Sequence, residues 1–126
     1  MAITLTTAAR NAACNAVVDL IDVGTTDANG DIVIMTSSDV EVATLAFANP
    51  AFGAAATGVA TANTIAADTT ATGGTAARFK FQDRNNTEVL RGNVATSGSD
   101  LNLSSLNIGA GDTISISSFT VTMPAT

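Results

Sequence analysis

Apolar residues near the start of the chain recur at spacings of three and four, and beyond residue 31 they recur at a spacing of two. Ala9, Ala12, Ala13, Ala16, Val17, Leu20 and Ile21 fall on one face of an amphipathic helix spanning residues 8–23. Thr6 or Thr7 is placed to cap its start, and Gly24 to close it in a left-handed conformation. The charges oppose the helix dipole, with Arg10 in the first turn and Asp19 and Asp22 in the last. Such a helix owes its stability to packing, and a stripe of small residues permits close approach to a sheet or to a neighbouring subunit.

The rest of the chain reads as strands and turns. Thr25 to Gly30 is a turn, with Asn29-Gly30 suited to positive φ. Ile32 to Met35 is a short, wholly apolar strand. Val40 to Phe47 is the next, with Ala43, Leu45 and Phe47 on one face. Asn49-Pro50 stops that ladder, because proline has no N–H to give. Phe52 follows as a lone large anchor among Ala and Gly, and Gly58 to Ile65 is extended with weak patterning. Asp68 to Thr75 reads as an exposed loop. Ala77, Phe79 and Phe81 alternate with Arg78, Lys80 and Gln82, giving a dry and a wet face; Asp83 to Thr87 turns, and Glu88 to Val94 returns. After a turn at Ser97 to Asp100 come Leu101, Leu103, Leu106 and Ile108, and Gly109 to Asp112 turns again. Apolar positions then switch from even (Ile114, Ile116) to odd (Phe119, Val121, Met123), which predicts a β-bulge at Ser117-Ser118 before Pro124 ends the strand. The expected fold is mainly β, an antiparallel β-sandwich or jelly-roll-like barrel with one N-terminal α-helix. It forms a single domain over 1–126, divided into an arm (1–7), the helix (8–23) and a β-domain (31–124).

Composition changes this picture in two ways. Five Phe, no Trp, no Tyr and an alanine-rich apolar fraction of 46% predict a light core, completed by partner chains. A net charge of −6 argues against nucleic acid, since neutralising phosphates needs clustered Lys and Arg. The single Cys14 excludes an internal disulfide. No charged start with an apolar run marks a secretory signal, and no run approaches the ~20 residues of a membrane span. Folding in a cytoplasm, with no membrane partner, is expected.

Candidate chemistry is sparse. Histidine is absent, which removes the commonest general base and metal ligand. Asp27, Asn29 and Asp31 place oxygens at alternate positions, as a calcium loop does, but the glycine comes early and no bidentate Glu follows; an Asn-Gly turn accounts for the same residues. Asp19 and Asp22 read as a solvated helix end, and Cys14 as a small buried residue. Gly73-Gly74 lacks the lysine and the strand-to-helix context of a phosphate loop. No catalytic, cofactor-binding or metal-ligating residue is assigned, and no cofactor is expected. Arg78, Lys80, Arg84 and Arg91 lie on the wet faces of the predicted hairpin and are the candidate partner-binding residues; ordinary solvation of a hairpin gives the same pattern.

Three segments carry a family resemblance. Ala8-Ala9-Arg10-Asn11-Ala12-Ala13-Cys14-Asn15-Ala16-Val17-Val18-Asp19-Leu20-Ile21-Asp22 resembles the opening of a family of small structural proteins encoded by tailed phages and prophages. Leu45-Ala46-Phe47-Ala48-Asn49-Pro50-Ala51-Phe52-Gly53-Ala54-Ala55, with Gly58 to Ala62, resembles its second signature. Thr96-Ser97-Gly98-Ser99-Asp100-Leu101-Asn102-Leu103, with Thr113 to Pro124, resembles its end. The family's turn corresponding to Ile34–Val40 is often longer, so contacts borne by that turn are not carried over, and no catalytic residues come with the family. The resemblance implies a non-enzymatic virion protein, made in the host cytoplasm. Its expected role is capsid cement or decoration on the capsid surface, binding and stabilising the major capsid protein shell as a homo-oligomer (dimer or trimer). Two other readings stand beside it: a tail-tip or fibre module that binds glycans, and a tail or head-to-tail joining protein.

Overall fold

A computed structural model describes residues 3–126; Met1 and Ala2, the first two residues of the predicted arm, lie outside the described residues. The chain is mainly β with one helix near its N-terminus, and its largest sheet curls into a half-barrel. Helix α1 (Thr7–Asp19) runs into a 3-10 turn (Leu20–Asp22). Strands follow as β1 (Asp31–Met35), β2 (Glu41–Ala46), β3 (Val59–Thr61), β4 (Gly74–Thr75), β5 (Arg78–Gln82), β6 (Glu88–Ala95), β7 (Leu101–Asn102), β8 (Asn107–Ile108) and β9 (Thr120–Thr122). The main sheet has the order β2-β1-β5-β6-β7, and β3-β9 and β4-β8 form two small antiparallel pairs.

Strand alternation decides what the sheet buries. Ile32 and Ile34 of β1 face Leu45 and Ala43 of β2 and Phe81 and Phe79 of β5, and all six are buried. A register shift between Ile34 and Met35 accommodates Val42 as an extra residue, also buried. The five phenylalanines, Phe47, Phe52, Phe79, Phe81 and Phe119, form one cluster with ring centroids 5.0–6.0 Å apart. Gly92 lies opposite Phe79, and a Cβ there would stand 2.6 Å from the ring. The few aromatic residues of the sequence are therefore gathered at one place, and no polar residue among the described residues is buried. The edge of β2 is covered by the segment between β3 and β4: Ala66 N–H donates to Ala46 O, Gly73 N–H to Val42 O, and Thr44 N–H to the Asp68 carboxylate. The predicted exposed loop 68–75 is in part this strap, with Ala71 buried and Asp68 bridged to Ile114.

Helix α1 starts as predicted, with Thr6 Oγ1 accepting the Ala9 N–H, but the face it presents to the core is rotated from the predicted stripe toward Cys14 and Val18. Of the predicted stripe, Ile21 is buried and Ala13 and Val17 are half-buried, but Ala9, Ala12, Ala16 and Leu20 are exposed; Cys14 is buried as expected, and Val18, outside the stripe, is buried beside it. The inward side also carries polar residues with work to do. Asn11 accepts the Gly58 N–H at 2.7 Å, Asn15 the Ala55 N–H at 2.8 Å and Asp22 the Ala51 N–H at 2.9 Å, while Arg10 Nε donates to Met123 O and Cys14 Sγ to Val121 O. Burying alanine yields little, whereas the loop after Pro50 arrives with donors that need acceptors, so the side-chain oxygens outweigh the alanine stripe. Replacing Asn15 with alanine is expected to cost about 1–2 kcal/mol by leaving the Ala55 N–H unpaired. Ala16→Lys, on the face the hydrophobic pattern would bury, should stay within about 0.5 kcal/mol of the wild type; urea unfolding of both variants measures the contrast.

Two further expectations are corrected. β7 runs parallel to β6, pairing Val94 with Leu101, where an antiparallel strand was expected. Asp100 accepts the Asn93 N–H and Ser99 Oγ donates to Asn93 O, which folds residues 96–100 into a tight loop that returns the chain in its original direction. The parity switch between Ile116 and Phe119 is present in the burial pattern, yet it is no bulge within one strand. Ile114 bridges Asp68, β9 pairs with β3, and residues 115–119 lie between them outside any strand.

Candidate interaction surface

The outward side chains of β1, β2, β5 and β6 form the face on which most of the candidate residues meet. Lys80 of β5 lies directly opposite Arg91 of β6, and Met35 and Val33 of β1 lie opposite Arg78 and Lys80. Val33 and Met35 are buried even though they point away from the phenylalanine core. They floor a cavity of about 300 Å³ whose walls include Asp31, Asp39, Glu41 and Lys80.

The cations there are interleaved with acids. Asp39, in the turn between β1 and β2, accepts from Arg78 Nη1 at 3.3 Å and from Arg91 Nη1 at 3.2 Å. Arg91 also forks onto Glu88, with Nη2 at 2.7 Å and Nε at 3.1 Å. The hydrogen bonds from Arg91 hold the Asp39 and Glu88 carboxyls below their usual range, and those two carboxylates in turn raise the guanidinium. Each of these side chains is roughly 40% exposed, so the pairs order the surface without adding much stability. Lys80 forms no ion pair among the described residues. The structure thus brings Arg78, Lys80 and Arg91 together on a surface of mixed sign.

Arg84 stands apart. Its Nε donates to Asp27 O at 2.8 Å, its N–H to Val23 O, and its carbonyl accepts the Asp27 N–H, so it ties the β5–β6 turn to the chain leaving the helix. Gly24, at φ +125°, passes so close that a Cβ would lie 2.8–2.9 Å from Arg84 and Asn85. Its positive φ was foreseen, but it serves this crossing, while the helix itself has already ended at Asp22.

Asp27, Asn29 and Asp31 do not converge. Asp27 accepts from the Asn86 amide at 2.9 Å, and Asn29 turns its amide nitrogen to Phe47 O. Asp31 joins the wall of the outer cavity, where burial, and then the Asp27 charge, push its carboxyl above the usual range. Among the described residues no group of three acidic, Cys or His side chains is arranged around a common point. Two cavities of about 350 and 400 Å³ along the 100–120 segment each contain one carboxylate, Asp100 and Asp112, and each of these accepts a backbone N–H, from Asn93 and Gly109 respectively. Their oxygens are committed to loop geometry.

Asp39, the residue that organises this surface, is the one sequence reasoning missed. Its signal was the Ser37-Ser38-Asp39 turn, in which Asp39 takes φ +62° and reaches across β1 toward β5 and β6. Comparisons with protein-family models, curated proteins and solved structures yield no match.

Proposed function

We propose that this chain is a non-enzymatic structural protein of a phage virion, a capsid cement protein that docks on the major capsid protein through the outer face of its main sheet. The observation that carries the docking surface is the grouping of Arg78, Lys80 and Arg91 with Asp39 and Glu88 around the Val33–Met35 floor. An apolar floor rimmed by charges of both signs matches the anatomy of a protein–protein contact, with a dry centre and a polar rim that sets register. The family resemblance of the helix, the Pro50 corner and the last third supports the virion assignment. A cement protein also gains from a fold whose loops are tied by many side-chain–backbone bonds, since it must bear load through numerous modest contacts. The glycan-binding alternative is disfavoured because sugar rings stack on aromatic faces, and all five phenylalanines are buried in the core.

Arg91→Glu would set a third carboxylate beside Asp39 and Glu88. It is expected to weaken binding to purified shells by about tenfold or more while leaving the far-ultraviolet circular dichroism unchanged. Unaltered shell binding by Arg91→Glu and Lys80→Glu would remove this face as the docking surface.

A further inference from the structure

Asn29-Gly30 is the only Asn-Gly step in the chain, and the candidate surface leaves it unused. In a flexible chain this step is chemically labile. The Gly30 backbone nitrogen attacks Asn29 Cγ, because glycine has no side chain to hinder the approach. The new N–Cγ bond closes a five-membered imide, the Cγ–Nδ2 bond breaks, and that nitrogen leaves as ammonia with the proton from Gly30. Water then opens the imide at either carbonyl, leaving an aspartate or its β-linked isomer. Both products carry a negative charge where the amide was neutral.

The fold withholds each movement that ring closure needs. Asn29 Nδ2 donates to Phe47 O, and Phe47 N–H donates to Gly30 O. The side chain and the residue that must meet are therefore both held by Phe47, at the end of β2. Gly30 is also buried. A Cβ built on it would lie 2.5 Å from Ile21 Cγ2 and 2.6 Å from Gln82 O, so its backbone has no free space on that side. β1 begins at the next residue, where Asp31 pairs with Ala46 and with Gln82. Turning the Gly30 nitrogen onto Cγ breaks the hold of Phe47 and disturbs the start of β1.

The products fit this place badly. An ionised carboxylate only accepts hydrogen bonds, so at position 29 it would face Phe47 O as acceptor against acceptor. It would also add a charge between Asp27 and Asp31, both of them half-buried. The β-linked isomer inserts an extra backbone atom just before β1 and strains the register with Ala46 and Gln82.

We propose that Asn29-Gly30 is a deamidation site closed by the fold: the folded chain keeps its amide, while an unfolded chain loses it and refolds with a weakened β1–β2 pairing. Time spent unfolded is thereby recorded covalently and makes unfolding progressively irreversible. The inference concerns the chain alone and holds whichever partner it binds.

The wild-type chain, incubated folded and in guanidinium chloride at the same mildly alkaline pH and temperature, supplies the test. Peptide mass spectrometry should find deamidation at Asn29 at least about tenfold faster in the unfolded sample. Chains refolded after that incubation should divide into unmodified molecules with the original melting temperature and modified ones that melt several degrees lower. Asn29→Asp, which makes the first product genetically, should reproduce the lower melting temperature. Equal rates in the folded and unfolded samples would overturn the proposal, and so would an Asn29→Asp chain as stable as the wild type.

Discussion

Phe81→Ala is expected to lower the free energy of unfolding by about 3–5 kcal/mol, the largest loss from any single truncation in this chain. Phe81 is fully buried and its ring lies 5.0 Å from Phe47, 6.0 Å from Phe52, 5.5 Å from Phe79 and 5.1 Å from Phe119. It is the only ring that meets all four others at these distances. Removing it deletes the transfer free energy of a large side chain and leaves a cavity that rings fixed on four separate segments cannot collapse to fill. A domain of this size has ~5–15 kcal/mol in total, so the variant approaches the edge of folding. Phe52→Ala, at the rim with two ring neighbours, should cost less. Urea unfolding at constant m-value measures both, and a Phe81→Ala loss below about 1.5 kcal/mol would show that the cluster does not hold the half-barrel together.

Gly30→Ala is expected to cost about 2–3 kcal/mol, at the upper end for adding one methyl group. A Cβ at Gly30 would stand 2.5 Å from Ile21 Cγ2, 2.6 Å from Gln82 O and 2.7 Å from Ile21 O. Two of those three atoms are backbone, one in the 3-10 turn and one in β5, and Gly30 O also accepts the Phe47 N–H. The added methyl group can be accommodated only by separating the helix end from the sheet. Gly53→Ala is the control: its nearest neighbour would be 3.8 Å away, so the loss of unfolded-state freedom should leave it neutral or slightly stabilising. Thermal unfolding of the two variants should show a fall of several degrees for Gly30→Ala against no fall for Gly53→Ala.

Gly30 also shows where sequence reading stops. As Asn29-Gly30 it reads as a turn suited to positive φ, yet neither residue takes one, and the need for glycine comes from Ile21 and Gln82, at sequence distances no local pattern reports. The strands of the β5–β6 hairpin were legible because period-two alternation is imposed by a sheet with one dry face; Phe79 and Phe81 are buried where the pattern places them. The proline corner and its Phe52 anchor were legible for similar local reasons. The helix face was read correctly at Ile21 and misread at Ala9, Ala12 and Ala16, because alanine counts as apolar in any pattern although its burial contributes little, and because Asn11, Asn15 and Asp22 read as solvated until the loop they hold is in place. The parallel β7 was hidden for a related reason, since its direction is set by the Asp100 and Ser99 bonds to Asn93.

The candidate surface was half legible. Alternation put Arg78 and Lys80 on one face, and the hairpin register added Arg91. Arg84 follows the same sequence logic but sits in the turn, where its guanidinium is drawn to Asp27 O. The counter-charge at Asp39 arrives from a different hairpin, so a patch that counts as basic along the sequence becomes mixed in space. A mixed surface of this kind favours a partner of defined charge pattern and gives an orientation as well as an affinity.

The most direct measurement for the proposed role is an electron cryomicroscopy reconstruction of intact particles, with the copy number of this chain counted against the shell protein. The proposal predicts density for the chain over the head at a copy number comparable to the major capsid protein, with the Arg78–Lys80–Arg91 face against the shell. A few copies confined to the tail, with none on the head, would contradict it.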